Sequence, residues 1–179
     1  MTFLALWAER EAAIEKSEEK VVNIAKHLTH QQTAMIGETE QLTRFLANTI
    51  AAEPNLPDTC PSYFYQIQEL YTNVANIGVV DDKGNLICVT NGIVKNVSIS
   101  DRQYFKNAIA NKSFSIGYFQ YDRSIQAPSV NFAHPIIDKQ EQLKGVVVTV
   151  IALEWWSAAL DKAEFPMGSN AVIADSNGL

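Results

Sequence analysis

The first 52 residues carry an apolar residue at almost every seventh position. No proline occurs between Ala8 and Ile50, and the apolar residues at this spacing are Trp7, Ile14, Val21, Leu28, Met35 and Leu42. Such a repeat predicts one long helix with a narrow apolar stripe. Polar residues such as Gln31 and Glu38 occupy alternate stripe positions, so a coiled coil here would be weak without support from the rest of the protein. We expect a helix that packs on its own domain, pairs with a second copy, or does both.

The rest of the chain alternates between short helical and short strand patterns. Prolines in "EPNLPDTCP" end the long helix, and helices are predicted over "SYFYQIQELYTNV", "DRQYFKNAIANK" and "EWWSAALDKAEF". Strands are predicted in "NIGVV", "NLICVT", "FSIGYFQ", "APSVNFAHPII" and "LKGVVVTVIAL". The sequence therefore predicts an α+β fold, in which a long N-terminal helix precedes a five-stranded antiparallel sheet flanked by short helices.

The last ten residues begin the same theme a second time. "NAVIADSNGL" (Asn170 to Leu179) matches the start of "NIGVVDDKGNLICVT", which opens at Asn76. Both segments place apolar residues before a polar turn with glycine, the pattern of a strand entering a hairpin. We predict a helix over 1–52, a globular lobe over 53–165, and the first strand of a truncated second lobe over 166–179.

Composition indicates an ordinary folded domain and excludes some partners. The chain is 47% hydrophobic and 19% charged over 179 residues. Its net charge of -6 and its scattered Lys and Arg residues argue against nucleic-acid binding. No apolar stretch approaches the roughly 18 residues of a membrane span. "MTFLALWA" at the start is compatible with the last turns of a membrane helix, which we favour, or with a plain helix start.

Catalytic and metal-binding motifs are absent from the sequence. It has no GxSxG, HExxH or phosphate-binding glycine loop. Asp81 and Asp82 fit a turn, while His27 and His30 lack a nearby ligand at metal-binding spacing and fit a solvent-facing helix surface. We predict no enzymatic activity, no metal and no cofactor for this chain.

One stretch, "SISDRQYFKNAIANKSFSIGYF", concentrates residues suited to binding. Asp101 precedes a predicted helix and is placed to cap its N-terminus. Such a cap would fix the directions of Arg102, Tyr104 and Phe105. The plainer interpretation is a capping aspartate, a solvated arginine and two core aromatics.

The two cysteines leave two interpretations open. Cys60 precedes a predicted helix and Cys88 lies on a predicted strand, at a spacing that fits no zinc or CxxC motif. An even count is compatible with one disulfide in an oxidising compartment or with two buried thiols.

The order of these patterns resembles a known family. "DRQYF", then "FSIG", then a strand containing "HP", then "LKGVVV" is similar to the PAS-like Cache domains, specifically the membrane-distal half of double Cache sensors on bacterial transmembrane receptors. The resemblance covers Cys60 to Leu179. It implies that "NAVIADSNGL" opens a membrane-proximal lobe and that the long helix rises from a membrane span. It also implies a homodimer through that helix, in the periplasmic part of an inner-membrane protein.

The resemblance also implies a ligand site between the sheet and the arginine-aromatic segment. Carried over by position, its residues are Arg102, Tyr104, Phe105, Tyr118, Tyr121, Asn131 and His134. The guanidinium of Arg102 suits an anionic group, and the aromatic rings suit an apolar or cationic body. Core packing is an equal alternative for the tyrosines. The final strand "GVVVTVIAL" lacks the Asp of amino-acid sensors and the Lys of dicarboxylate sensors, so neither ligand class is implied.

Two further expectations follow from the resemblance. Similar domains attached to diguanylate cyclases pair a cysteine before the first core helix with one on the second strand, which implies a Cys60–Cys88 disulfide. The implied function is small-molecule sensing for a diguanylate cyclase, histidine kinase or chemoreceptor, transmitted through helix packing. The alternative is a ligand-free lobe that acts as a spacer or dimerisation element.

Overall fold

The computed structural model describes residues 3–53, 60–91, 95–175 and 178. Its helices are α1 (Phe3–Ala52), α2 (Cys60–Gln68), α3 (Gln103–Asn111) and α4 (Leu153–Asp161). Its strands are β1 (Asn76–Asp81), β2 (Leu86–Val89), β3 (Ser115–Ile116), β4 (Gln120–Asp122), β5 (Ala127–Ile137) and β6 (Leu143–Ala152).

The strands form one antiparallel sheet in the order β2-β1-β6-β5-β3, and β4 also pairs with β5. A long N-terminal helix followed by an antiparallel sheet with flanking helices confirms the predicted α+β fold. Because β1 pairs with both β2 and β6, the first hairpin joins the sheet beside its last strand.

The third predicted strand, "FSIGYFQ", forms two short strands instead of one. Both pair with β5, but three residues lie between Ile116 and Gln120, whereas two lie between their partners, Phe132 and Ser129. The extra residue interrupts the ladder between β3 and β4, as in a β-bulge. The sheet therefore has six strands where the pattern predicted five.

Strand alternation gives the sheet two buried faces. On one face, Phe132, Val147 and Ile151 join a core cluster with α1, α2 and α4, which we call the α1-side core. On the other, Val146 and Val148 join a cluster with α3, which we call the α3-side core. Both faces are covered by helices, which explains the nearly continuous apolar run of β6.

The C-terminal half of α1 packs on the domain, whereas its N-terminal half is mostly exposed. Met35 and Leu42 are buried, and α1 packs across β5 and β6. The Thr43 and Thr149 hydroxyls lie 2.8 Å apart and join the helix to β6 by a buried hydrogen bond. In the other half of the predicted stripe, Trp7 and Ile14 are exposed. The stripe therefore packs on its own domain at one end, and pairing with a second copy stays a prediction.

The C-terminal segment does not join the sheet. Residues 171–175 form irregular chain, and Ile173 packs against the α1-side core. Without a neighbouring strand the segment forms no ladder hydrogen bonds, so the strand predicted for Asn170 to Leu179 is not formed over 170–175. Ser176, Asn177 and Leu179 lie outside the described residues, and the proposed domain division stays a prediction.

A disulfide links Cys60 of α2 to Cys88 of β2, with Cα atoms 6.3 Å apart. The predicted pairing is confirmed. The bridge fastens α2 onto the first hairpin. Over residues 3–53, 60–91 and 95–175, no helix combines the length and hydropathy that a membrane crossing requires.

Candidate functional site

A narrow cleft lies on the α3 face of the sheet. Its floor is formed by β1 and β6, and its rim by the segment before α3 and the turn between β4 and β5. Apolar side chains such as Val80 and Val148 line it together with polar residues, which are Asn76, Tyr104, Asp122, Arg123 and Ser124. The cavity volume is about 20 Å³, roughly the space of one water molecule.

Asp122 is the centre of a buried polar network beside this cleft. Its Oδ1 accepts hydrogen bonds from the Ser124 hydroxyl (2.6 Å), the Ser124 backbone N–H (2.8 Å) and the Ile125 backbone N–H (3.0 Å). Its Oδ2 accepts one from Asn131 Nδ2 at 2.7 Å. The sequence folds this way locally because an aspartate at the start of a turn accepts from the backbone N–H groups that follow it.

The network continues into the sheet and into α3. Asn131 Nδ2 also donates to the Tyr104 hydroxyl at 3.2 Å, and its Oδ1 accepts from Ser129 at 2.6 Å. Asn76 Nδ2 donates to Ser124 Oγ at 3.0 Å. Burial raises the pKa of Tyr104 to about 12, so this phenol is neutral at physiological pH.

The buried carboxylate of Asp122 accepts hydrogen bonds but forms no salt bridge with a described residue. The ion pairs in the described part of the chain join Arg123 to Asp101 and Lys144 to Asp138. Each carboxylate oxygen offers about two lone-pair positions, and Oδ2 of Asp122 accepts one hydrogen bond from the described residues. A buried carboxylate is most stable beside a positive charge. The site can therefore accept a cationic donor.

Arg123 closes the rim of the cleft. Its Nη1 and Nη2 donate to the two carboxylate oxygens of Asp101 at 2.7 and 2.8 Å, and Nη1 also donates to the Ser98 carbonyl. The hydrogen bond from Arg123 holds the pKa of Asp101 below its usual value. These contacts tie the β4–β5 turn to the segment before α3.

The same ion pair explains why the predicted helix cap is not formed. The N-cap residue of α3 is Arg102, and no side chain caps it. The Asp101 carboxylate instead faces the guanidinium of Arg123, whose planar fork fits both carboxylate oxygens. Asp101 therefore joins two loops and does not cap α3.

Arg102 and the predicted aromatic residues lie in different parts of the structure and do not form one site. Arg102 is half-buried, and its Nη2 donates to the Tyr121 carbonyl at 2.9 Å outside the cleft lining. Tyr104 lines the cleft, whereas Phe105 lies in the α3-side core. Tyr118 and Tyr121 are 43% and 61% exposed and do not line it.

Asn131 and His134 lie on opposite faces of β5. Asn131 contacts Tyr104 and Asp122 on the α3 face. His134 pairs with Val147, which belongs to the α1-side core. Side chains alternate between the two faces along a strand, so two residues three positions apart point to opposite faces. Of the seven predicted ligand residues, the structure brings Tyr104 and Asn131 together at the cleft.

Sequence reasoning missed Asn76, Asp122 and Ser124. A signal existed, because Asn76 is the polar residue on an otherwise apolar face of β1, and Ser129 and Asn131 interrupt the apolar pattern of β5. "DRS" at 122–124 is also a turn pattern. In the described part of the chain, no cluster of three or more His, Cys, Asp or Glu side chains is arranged to hold a metal ion.

No protein-family profile and no functionally characterised protein matches the sequence. The structure is similar to the sensor domain of the V. cholerae histidine kinase DctB, with 19% identity, a TM-score of 0.64, and coverage of 84% of this chain and 60% of that one. It is also similar to the extracellular domain of the putative histidine kinase rpHK1S-Z16, with 18% identity, a TM-score of 0.77, and coverage of 88% and 66%.

A chemoreceptor provides a third similar structure. The ligand-binding domain of Campylobacter jejuni Tlp3, solved in complex with L-valine, has 12% identity, a TM-score of 0.69, and coverage of 91% of this chain and 69% of that one. The chain has the fold of these receptor domains. It spans 60% and 66% of the two kinase domains. All three similar structures are sensor or extracellular domains of receptors, and none is a catalytic domain.

Proposed function

We propose that this chain is an extracytoplasmic sensing domain of a transmembrane receptor and that it binds a small cationic molecule beside Asp122. The observation that carries the proposal is a buried carboxylate that lines the cleft and forms no salt bridge with a described residue. The fold is shared with sensor domains of histidine kinases and chemoreceptors. The output would be a kinase, a diguanylate cyclase or a chemoreceptor signalling domain.

The ligand class follows from the side chains around the cleft. An ammonium group would donate to Asp122 Oδ2, while an apolar body would contact Val80 and Val148. Arg102, from which an anionic ligand was predicted, bonds a backbone carbonyl and does not line the cleft. A cationic ligand therefore fits the described residues better than an anionic one.

Signal transmission would pass through β5 and β6. Strand β6 lines the cleft through Val148 and Val150, β5 carries Asn131 of the neighbouring polar network, and both strands contact α1 on the opposite face. The Thr43–Thr149 hydrogen bond joins the two layers directly. A ligand shifts the position of α1 only by binding one arrangement of the sheet and helix more tightly than the other.

Asp122→Asn is expected to weaken binding of a cationic ligand at least tenfold. The substitution keeps the size of the side chain and removes its charge, and hydrogen bonds between charged groups contribute about 1.5–3 kcal/mol. The ligand is first found by thermal-shift screening of amines, amino acids, polyamines and carboxylates, and affinities are then measured by isothermal titration calorimetry.

Asp138→Asn is the matched control, since Asp138 also accepts turn hydrogen bonds but lies outside the cleft. An unchanged affinity in Asp122→Asn would contradict the cationic site. Loss of binding in Arg102→Ala together with normal binding in Asp122→Asn would instead establish the anionic alternative.

Arg123→Ala is expected to raise the association and dissociation rate constants of that ligand together, about two- to fivefold. The cleft is too small for an organic molecule while Arg123 holds its rim closed, and a partly exposed ion pair contributes roughly 0.2–1 kcal/mol. Stopped-flow binding measures both rate constants. Lys144→Ala removes the other described ion pair as a control, and rate constants equal to the wild type in Arg123→Ala would refute a rim function.

The second candidate function is a ligand-free spacer lobe. The observation that favours it is the cleft volume of about 20 Å³, which leaves no preformed space for an organic ligand beside Asp122. A screen in which no amine or carboxylate raises the melting temperature of the wild type would favour the spacer over the sensor.

A further inference from the structure

A second and larger hollow lies on the opposite face of the sheet. It is an apolar groove bounded by α1, the β3–β4 segment, the start of α4 and residues 173–175, with a volume of about 390 Å³. That volume falls within the range of small-molecule sites, roughly 300–1,000 Å³. Ile36, Val130 and Phe132 are among the residues that line it. We call it the α1-side groove.

Trp156 lines this groove and has an unused hydrogen-bond donor. The side chain is buried, with 7% exposure. Its indole Nε1 is also buried and has no hydrogen-bond partner among the described residues. Buried donors are paired in the great majority of folded proteins because an unpaired donor loses its bonds to water without replacement. An acceptor supplied by a bound molecule would satisfy this indole N–H.

The groove lining restricts the charge of that molecule. No lysine, arginine or histidine lines the described groove, and the carboxylate of Asp175 lies at one end, where it accepts from the Phe119 N–H at 3.2 Å. An anion would therefore have no cationic partner there. The partly exposed Ile116, Tyr118 and Phe119 extend the apolar wall toward solvent.

We propose that the α1-side groove is a second small-molecule site, specific for an uncharged, largely apolar molecule whose carbonyl-type oxygen accepts a hydrogen bond from Trp156 Nε1. This site is distinct from the cleft at Asp122, and the proposal does not require a ligand in that cleft. The apolar walls supply most of the binding through burial, and the indole N–H selects molecules that carry an acceptor.

The test uses two fluorescent probes that differ in the acceptor. Prodan is an uncharged naphthalene carrying a propionyl ketone, and 2-dimethylaminonaphthalene lacks the ketone. Trp156→Phe removes the indole N–H and keeps an aromatic ring. Trp156→Phe is expected to weaken prodan binding about three- to tenfold more than binding of the ketone-free probe.

Two further measurements make the result independent of any packing change in Trp156→Phe. In the wild type, prodan is expected to shift the Trp156 indole N–H proton signal downfield, and the ketone-free probe is not. Ala174→Trp, which places a large ring in the groove, is expected to weaken both probes. Asp138→Asn, which changes a residue outside both the cleft and the groove, serves as the control, with prodan binding unchanged.

Three outcomes would overturn the proposal. One is an equal loss of both probes in Trp156→Phe together with an unchanged indole signal in the wild type. Another is normal prodan binding in Ala174→Trp. The third is a wild-type dimer that sedimentation detects and that Ala174→Trp dissociates, together with no binding of prodan. That result would assign the groove to a second copy of the chain.

Discussion

Gly145→Ala is expected to destabilise the fold by about 3 kcal/mol or more, the largest effect of any single methyl group considered for this chain. Gly145 has a φ of +154°, and a Cβ there would overlap the carbonyl oxygen of Val80. That carbonyl belongs to β1, the direct neighbour of β6. Relief of the overlap would require β1 and β6 to separate at the end of their ladder, where Gly145 pairs with Asp81.

Thermal unfolding followed by circular dichroism measures this effect. At roughly 2–4 °C per kcal/mol for a chain of this size, the midpoint should fall by about 6–12 °C. Gly37→Ala is the matched control, because a Cβ at this position in α1 has no heavy atom within 4 Å. It should stabilise the protein by about 0.5–1 kcal/mol. A midpoint for Gly145→Ala within 2 °C of the wild type would contradict the close approach of β1 and β6.

Loss of the Cys60–Cys88 disulfide is expected to reduce the free energy of unfolding by about 3–4 kcal/mol. The bond joins residues separated by 28 positions, and a loop of that length gives this value in the chain-entropy treatment of cross-links. The bridge also holds α2 against the hairpin, where Cys60 and Cys88 are both buried in the α1-side core. We compare the oxidised wild type with Cys60→Ala/Cys88→Ala.

Reduction of the wild type separates the cross-link from packing. Dithiothreitol should lower the unfolding midpoint of the wild type and leave that of the double alanine variant unchanged, because the variant has no bond to break. A wild-type midpoint that is the same with and without reductant would show that the bridge adds no stability.

The sequence predicted the fold well where local patterns and burial agree. The seven-residue stripe predicted α1, and the β-branched run at Val146, Val147 and Val148 predicted a strand, which the structure shows buried on both faces. The split between β3 and β4 was not predicted. It depends on a one-residue offset against β5, and a register depends on the partner strand, which a local pattern does not contain.

The candidate site was harder to predict because its residues come from distant segments. Asn76 and Asp122 meet through Ser124 only when β1 and the β4–β5 turn are brought together. Asp101 shows the same limit, because its position fits a helix cap and yet Arg123, 22 residues later, binds its carboxylate. A competing long-range partner decides the role of such a residue, and the local sequence does not reveal that partner.

Strand β5 connects the α1-side groove with the polar network beside the cleft, and this connection has a thermodynamic consequence. Asn131 belongs to the polar network of the cleft, while its neighbours Val130 and Phe132 line the α1-side groove. The Asn131 carbonyl also accepts the N–H of Gly117, another groove residue, at 2.7 Å. A ligand that displaces β5 from either site would therefore move residues at the other site. By thermodynamic linkage, if a ligand in the cleft changes the affinity of the groove for its ligand by some factor, the ligand in the groove changes the affinity of the cleft by the same factor.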